Sequence, residues 1–301
     1  MKINKGYAYI IITAFLFSTA EVSGKLITGL NPYQFTFIRF LIGGLILSPF
    51  AVRHILRKEL KFKKNHIMHF ILLGVLCVVI SMCLFQLAVV YTSASKVAIV
   101  FSVNPVFTIP FAYFILKEKV YKSTIISLVL SVIGVCFILN PLSFSLNKEF
   151  IGMLLALLSA VVFSIYSVIG KKMLEIYGGV VYNSLTFIFG SIILLVILII
   201  TRVPIVHGIG SGNIIQILYA GIFVTGLGYL FYFLSIEETS AIETSSVFFI
   251  KPALAPIIAF IILGEKISIS TFVGIMFIVF ESYLNMLSKK KVTSVKKEAM
   301  H

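Results

Sequence analysis

The chain lacks the charge that a water-facing surface needs. Only 12% of its 301 residues are charged, while 59% are hydrophobic. A soluble domain carries about 25% charged residues. The shortage excludes an ordinary soluble fold, and lipid must solvate most of the chain. Tryptophan is absent. Cysteine is scarce: Cys77, Cys83 and Cys136 lie in apolar runs, with no C-x-x-C pair and no Cys/His cluster. They read as small apolar residues of packed helices, not as disulfide or metal positions. Histidine is missing at membrane depth, H-E-x-x-H is missing, and no two carboxylates lie near each other in one apolar run. A membrane-embedded enzyme would need such a metal cluster, dyad or carboxylate pair, so the expectation is no enzyme, no metal and no cofactor. The glycines 208, 210 and 212 are not followed by Lys-Ser/Thr, so no phosphate cradle is read there and no ATP drive within the chain.

What is present is a row of long apolar stretches. A spanning helix needs about 20 mostly apolar residues. Ten such runs can be read: 7–28, 33–53, 67–91, 96–116, 121–140, 150–173, 181–201, 214–236, 242–263 and 269–288. The first follows Lys2 and Lys5, as in a signal peptide. It is longer than a signal's apolar core and has no small-x-small cleavage site, so it reads as the uncleaved first helix. The tail 289–301 is basic and reads as cytoplasmic.

The net charge is +14. Its bearers lie at helix ends and in short loops, where they set orientation and meet anionic lipid head groups, so nucleic acid is not expected as a partner. Ten spans put both termini on one face. That face collects eighteen of the 25 Lys and Arg, the other collects five, and only Arg39 and Lys251 remain inside the spans. The bias follows the positive-inside rule and places both termini in the cytoplasm of a multi-pass plasma-membrane protein.

The sequence also repeats itself. Thr92-Ser93-Ala94, Pro105 and Glu118-Lys119 recur 147 residues later as Thr239-Ser240-Ala241, Pro252 and Glu265-Lys266. At a shift of 146, Phe17-Ser18 and Gly24-Lys25 recur as Phe163-Ser164 and Gly170-Lys171. Each copy holds five spans, an odd number, so the second enters the membrane from the opposite face. The expected architecture is an all-α integral membrane protein of ten transmembrane helices in two inverted five-helix repeats, 1–140 and 150–288. Inverted repeats characterise secondary transporters, with the solute site near the midplane between the halves.

These features together resemble the drug/metabolite transporter superfamily in its EamA-like branch: Phe17-Ser18 with Lys25, Pro32 before Arg39, Thr92-Ser93-Ala94, Asn104-Pro105 and Glu118, and the second-copy set Phe163-Ser164, Lys171, Thr239-Ser240-Ala241, Pro252 and Glu265. The resemblance covers nearly the whole chain as two family units. It implies transport of amino acids, other metabolites or drugs, and leaves the substrate open. In that family the first helix often carries a Trp where this chain has Phe17, with Phe163 in the second copy.

Ionisable residues within lipid are costly and are functional candidates for that reason. Glu21 and Arg39 fall in neighbouring antiparallel spans, each roughly 10 Å deep at about 1.5 Å per residue. They form one candidate pair. Lys251 and Glu281 form a second. Either pair would fix helix packing, or line a cavity and bind solute or a coupling proton. Lys251 precedes Pro252 and its repeat counterpart Asn104 precedes Pro105. Each proline frees the carbonyl four residues back, which favours a kink against protein or a wet cavity. Ser18, Ser164, Tyr166 and Tyr232 complete the candidate lining. Glu118 and Glu265 read as interfacial charges that stabilise turns. The function expected from all this is a secondary transporter, most simply an exporter of amino acids or related small solutes by alternating access. A passive channel or facilitator is the alternative, ahead of a membrane-embedded enzyme.

Overall fold

The computed structural model describes residues 5–117, 129–130, 133–134, 136–137, 147–238, 244, 247–269, 271–277 and 279–280. Among these the chain is helical, with no strand. Seven helices are long and apolar enough to cross a membrane: α1 (Lys5–Leu26), α2 (Pro32–Lys58), α3 (Lys64–Tyr91), α4 (Ala94–Leu116), α5 (Lys148–Tyr177), α6 (Gly179–Ile200) and α7 (Ile214–Glu238). The shorter apolar α8 spans Val247–Leu263. They coincide with eight of the ten predicted spans. The predicted span 121–140 lies largely outside the described residues; of 269–288, residues 271–277 are helical and the stretch from 281 on, including Glu281, lies outside.

Local chemistry sets the ends. Asn31 caps α2 by accepting a hydrogen bond from Tyr33 N (2.9 Å), with Pro32 at the first helical position. Ser93 accepts from Lys96 N at the start of α4, and Asn147 from Phe150 N at the start of α5. α8 stops where Gly264 turns left-handed (φ 67°). Gly264 N donates to Phe260 O, the single closing bond of an αL turn, and Glu265 N reaches Ala259 O beyond it. Lys117, the repeat equivalent of Gly264, ends α4 in the same left-handed conformation (φ 56°). The helix ends thus repeat along with the sequence.

A further internal likeness was not legible beforehand. Residues Val75–Met82 within α3 and Tyr219–Leu227 within α7 are wound as π-helix. The two stretches occupy nearly equivalent places in the two copies. In each, a side chain bonds back five residues: Cys83 Sγ to Val78 O and Thr225 Oγ1 to Ala220 O. Such insertions gather at functional sites.

Helices of the two copies interleave. α1 packs on α7 and α8, α3 and α4 on α5, and α2 along α6 and the π stretch of α7. Small residues set the closest crossings, as expected where lipid provides no hydrophobic drive and close packing must hold helices together. A Cβ on Gly74 would lie 2.6 Å from Gly190 N, and one on Gly190 would lie 2.6 Å from Gly74 O. Backbone cannot rotate away from such a clash. Gly74→Ala is expected to destabilise the purified protein by about 1–3 kcal/mol, the usual cost of overpacking, read as a lowered melting midpoint in detergent. An unchanged midpoint would mean that α3 and α6 can slide apart.

Helices alternate in direction within α1–α4 and within α5–α8, so that α1 and α3 end, and α4 and α5 begin, at one face of the bundle, called the far face below. α2, α4, α5 and α7 end at the opposite, near face. The chain therefore leaves α4 at the near face and enters α5 at the far face.

Candidate solute site

α1 is interrupted at Thr19. Its hydroxyl donates to Leu16 O (2.7 Å) and lies 2.9 Å from Tyr219 Oη at the head of the α7 π stretch. The break leaves Glu21 near the start of the second piece of α1, completely buried. Lys251 of α8 brings its Nζ to 2.8 Å from Glu21 Oε1. The approach lies off a hydrogen-bonding direction, so both carboxylate oxygens remain without a hydrogen bond. The ammonium also rests over the rings of Phe101 (5.4 Å) and Phe85 (5.9 Å). This pair joins the first copy to the second.

Arg39 is 3% exposed and makes no ion pair among the described residues. Its guanidinium sits over Phe40 (4.8 Å), Phe35 (5.5 Å) and Phe85 (6.0 Å), and Nη2 points to Met82 Sδ at 3.9 Å, in the π stretch of α3. Nε has no partner. Ring contacts contribute about 0.5–2 kcal/mol each. Taking an ion out of water costs several kcal/mol even after relaxation. The rings alone do not offset the burial of this cation. Phe85 is shared by Arg39 and Lys251.

An aromatic wall runs onward from Arg39. Phe40 meets Phe187 edge-on (4.9 Å), Phe187 meets Tyr229 (5.1 Å), and Phe17 packs against Tyr229 (5.0 Å) and Tyr232 (6.1 Å). Tyr229 and Tyr232 are half-buried. Phe17 thus stands in this wall.

The remaining predicted residues divide. Glu21 pairs with Lys251 and not with Arg39, because α1 packs on α8 while Arg39 turns toward rings from α2 and α3; the Lys251–Glu281 pairing involves a residue outside the described ones. Ser18 Oγ donates to Ala14 O within its own helix. Ser164 Oγ reaches Asn104 O (2.7 Å) and Ala160 O, tying α5 to α4 at its interruption. Tyr166 is buried, stacks on Tyr182 (5.6 Å) and approaches Asn183 Oδ1 (3.4 Å). Tyr232 joins the aromatic wall. The two proline sites behave differently. α4 is broken at Ser102–Val103, just ahead of Asn104 and Pro105, whereas α8 stays helical through Pro252 and Pro256.

Sequence reasoning missed a second cluster, at the far face. Glu265 crosses from the end of α8 to the start of α4. It accepts from Ala94 N (2.7 Å), Ser95 N (3.0 Å) and Ser95 Oγ (2.7 Å). A carboxylate on the first free amides of a helix meets both unsatisfied donors and the positive end of the dipole. Lys25 of α1 caps the neighbouring helix end, donating to Val89 O and Thr92 O, both at 2.8 Å. Lys96 pairs with Glu149 beside them. Gln34 closes the same face by donating to Ile205 O and His207 O. The signal was present: Glu265 and Lys25 both belong to the repeat, but the pattern gave no hint of what they touch.

A bundle of apolar helices with charged groups held at depth between two copies of one sequence unit defines a multi-pass membrane protein of the transporter class. The chain belongs to the EamA-like transporter family, whose model matches it twice, over residues 4–140 and 150–287. It is 48% identical to an uncharacterized transporter of Clostridium kluyveri, across 98% of this chain and 97% of that one. It is 30% identical to an uncharacterized transporter of Archaeoglobus fulgidus, across 81% of this chain and 85% of that one. A solved crystal structure shares the fold with a TM-score of 0.65 at 17% identity, covering 94% of this chain and 97% of the other. The protein is a membrane transporter of the drug/metabolite transporter type.

Proposed function

We propose that the chain is a secondary transporter that exports amino acids or related small solutes across the plasma membrane by alternating access. Both termini are cytoplasmic and the two five-helix units, 1–140 and 150–288, are inverted. The observation that carries this reading is the fully buried Glu21–Lys251 pair, which bridges the two copies beside the unpaired Arg39. Buried charges in a membrane mark pathways and coupling sites, and transporter sites lie between inverted repeats. Glu21, whose ionic partner among the described residues is Lys251, is the candidate for a coupling proton.

The far-face cluster supports a specific cycle. In the state described, Glu265 and Lys25 tie α1, α3, α4 and α8 together at the outer face. Their repeat equivalents are Glu118 and Lys171, and the equivalents of Thr92–Ala94 are Thr239–Ala241. In the opposite state these close the inner face by the same contacts as the outer ones part.

Counterflow tests the reading. Proteoliposomes loaded with an unlabelled amino-acid mixture are diluted into a labelled one. Trans-stimulated uptake, with transient accumulation above equilibrium, is expected. Simple equilibration with no trans-stimulation would favour the facilitator reading instead.

A further inference from the structure

The described chain buries three charged side chains, Glu21, Arg39 and Lys251. Two are cations and one is an anion, so these described side chains carry one positive charge in excess. Glu21 and Lys251 answer each other at 2.8 Å. The excess sits on Arg39, whose Nε has no partner and whose polar and ring contacts among the described residues are a thioether sulfur and three rings. An unanswered guanidinium at membrane depth is strongly unfavourable unless something negative comes to it.

From this we infer that the solute is a small organic monoanion, its carboxylate bound by Arg39 and its apolar or aromatic body laid on the surrounding rings. The inference rests on the transporter reading and, among the amino acids and related small solutes proposed there, favours monoanionic relatives over the zwitterionic amino acids. A carboxylate fits the planar donor fork of guanidinium. One negative charge cancels the excess. A phosphate group would bring about −1.5 to −2, more than that excess balances. A zwitterion would bring a second cation beside Arg39 and Lys251 and leave the excess in place. Beyond the guanidinium the wall is aromatic, from Phe40 and Phe85 to Phe187, Tyr229 and Phe17. It presents apolar faces and few polar atoms, which suits a body without further charge.

The test uses the full chain, purified in detergent and also reconstituted. Phenylacetate and 3-methylbutanoate are compared with their amides and with the amino acids phenylalanine and leucine, by saturable rise of the melting midpoint. The carboxylates are expected to act at concentrations about tenfold lower than the amides or amino acids, a difference of about 1.4 kcal/mol. Arg39→Gln is expected to abolish that preference and Arg39→Lys to retain part of it. The inference is overturned if the amides or amino acids match the carboxylates, if Arg39→Gln keeps the preference, or if no carboxylate acts at millimolar concentration. The ligand comparison on the unaltered protein decides the matter even where a variant fails to fold. Counterflow of the labelled carboxylates separates the two readings. Preference without counterflow supports the anion site and removes the transporter; counterflow of amino acids with no carboxylate preference keeps the transporter and overturns the anion site.

Discussion

Replacing Glu21 by Gln lowers the stability of the purified protein by about 3–5 kcal/mol, and replacing Lys251 by Gln does the same. Each change strands the other charge in a place where neither can reach water: Glu21 is 0% exposed and Lys251 7%. The rings of Phe85 and Phe101 soften the loss for Lys251 but do not remove it, because cation–π contacts are worth about 0.5–2 kcal/mol. Removing both charges together, as Glu21→Gln with Lys251→Met, is expected to recover most of the lost stability. Desolvation of both partners offsets much of what their attraction contributes, so an uncharged pair of similar volume costs little. The four proteins form a double-mutant cycle, with coupling read from melting or denaturant unfolding in detergent. Single variants as stable as the parent would show that the pair is hydrated, and the site would then be a wet channel instead of a closed chamber. Transport gives the complementary readout. A double variant that folds but no longer exchanges solute would separate the mechanistic role of the pair from its structural one.

The second large effect concerns the outer closure. Glu265→Ala removes three hydrogen bonds to the start of α4, each to a charged acceptor. Bonds of that kind contribute about 1.5–3 kcal/mol each. Losing even one such increment from the closed state shifts its population against the open one by about tenfold, since 1.4 kcal/mol is a factor of ten. The measurement is labelling of a single cysteine at Ala98, which is fully buried one turn into α4. The three native cysteines are replaced, and an impermeant maleimide is applied from outside intact cells. Faster labelling by about tenfold or more is expected for Glu265→Ala. Glu118→Ala is expected to act in the opposite sense, slowing labelling, because it weakens the inner closure. Equal rates in all three proteins would remove Glu265 and Glu118 as gate elements and leave them as turn residues.

Much of this protein is legible from the chain alone, and the reasons are physical. Lipid allows so few backbone arrangements that apolar length nearly dictates helices. The spans read at 33–53 and 181–201 correspond to α2 and α6 for that reason. The repeat is legible because Pro, Glu-Lys and Thr-Ser-Ala recur at one spacing, and the family match over 4–140 and 150–287 falls on the same two units. Candidate residues are also legible, since a charge inside an apolar run stands out. Glu21, Arg39, Lys251 and Glu281 stand out on that ground; Glu281 lies outside the described residues, and the other three are the charged side chains that the described structure buries.

Their partners were a different matter. Equal depth suggested Glu21 with Arg39, yet depth is one coordinate and pairing needs three. The packing of α1 on α8 carries Glu21 to Lys251, and the rotation of α2 turns Arg39 to Phe40 and Phe85. Hydropathy cannot report either the neighbour or the rotation of a helix. The π stretches in α3 and α7 were equally hidden, because both runs are apolar at nearly every position and a change of winding leaves no mark on such a pattern.

Composition and order along the chain were enough to read its lipid solvent, eight of its apolar helices, the duplication and the charges placed within apolar runs. Packing was needed to show which charges meet, which cation has no answering anion among the described residues, and that Glu265 and Lys25 tie helix ends together at the far face. Those are distances between residues far apart in sequence, set by how eight described helices pack, and no local pattern encodes them.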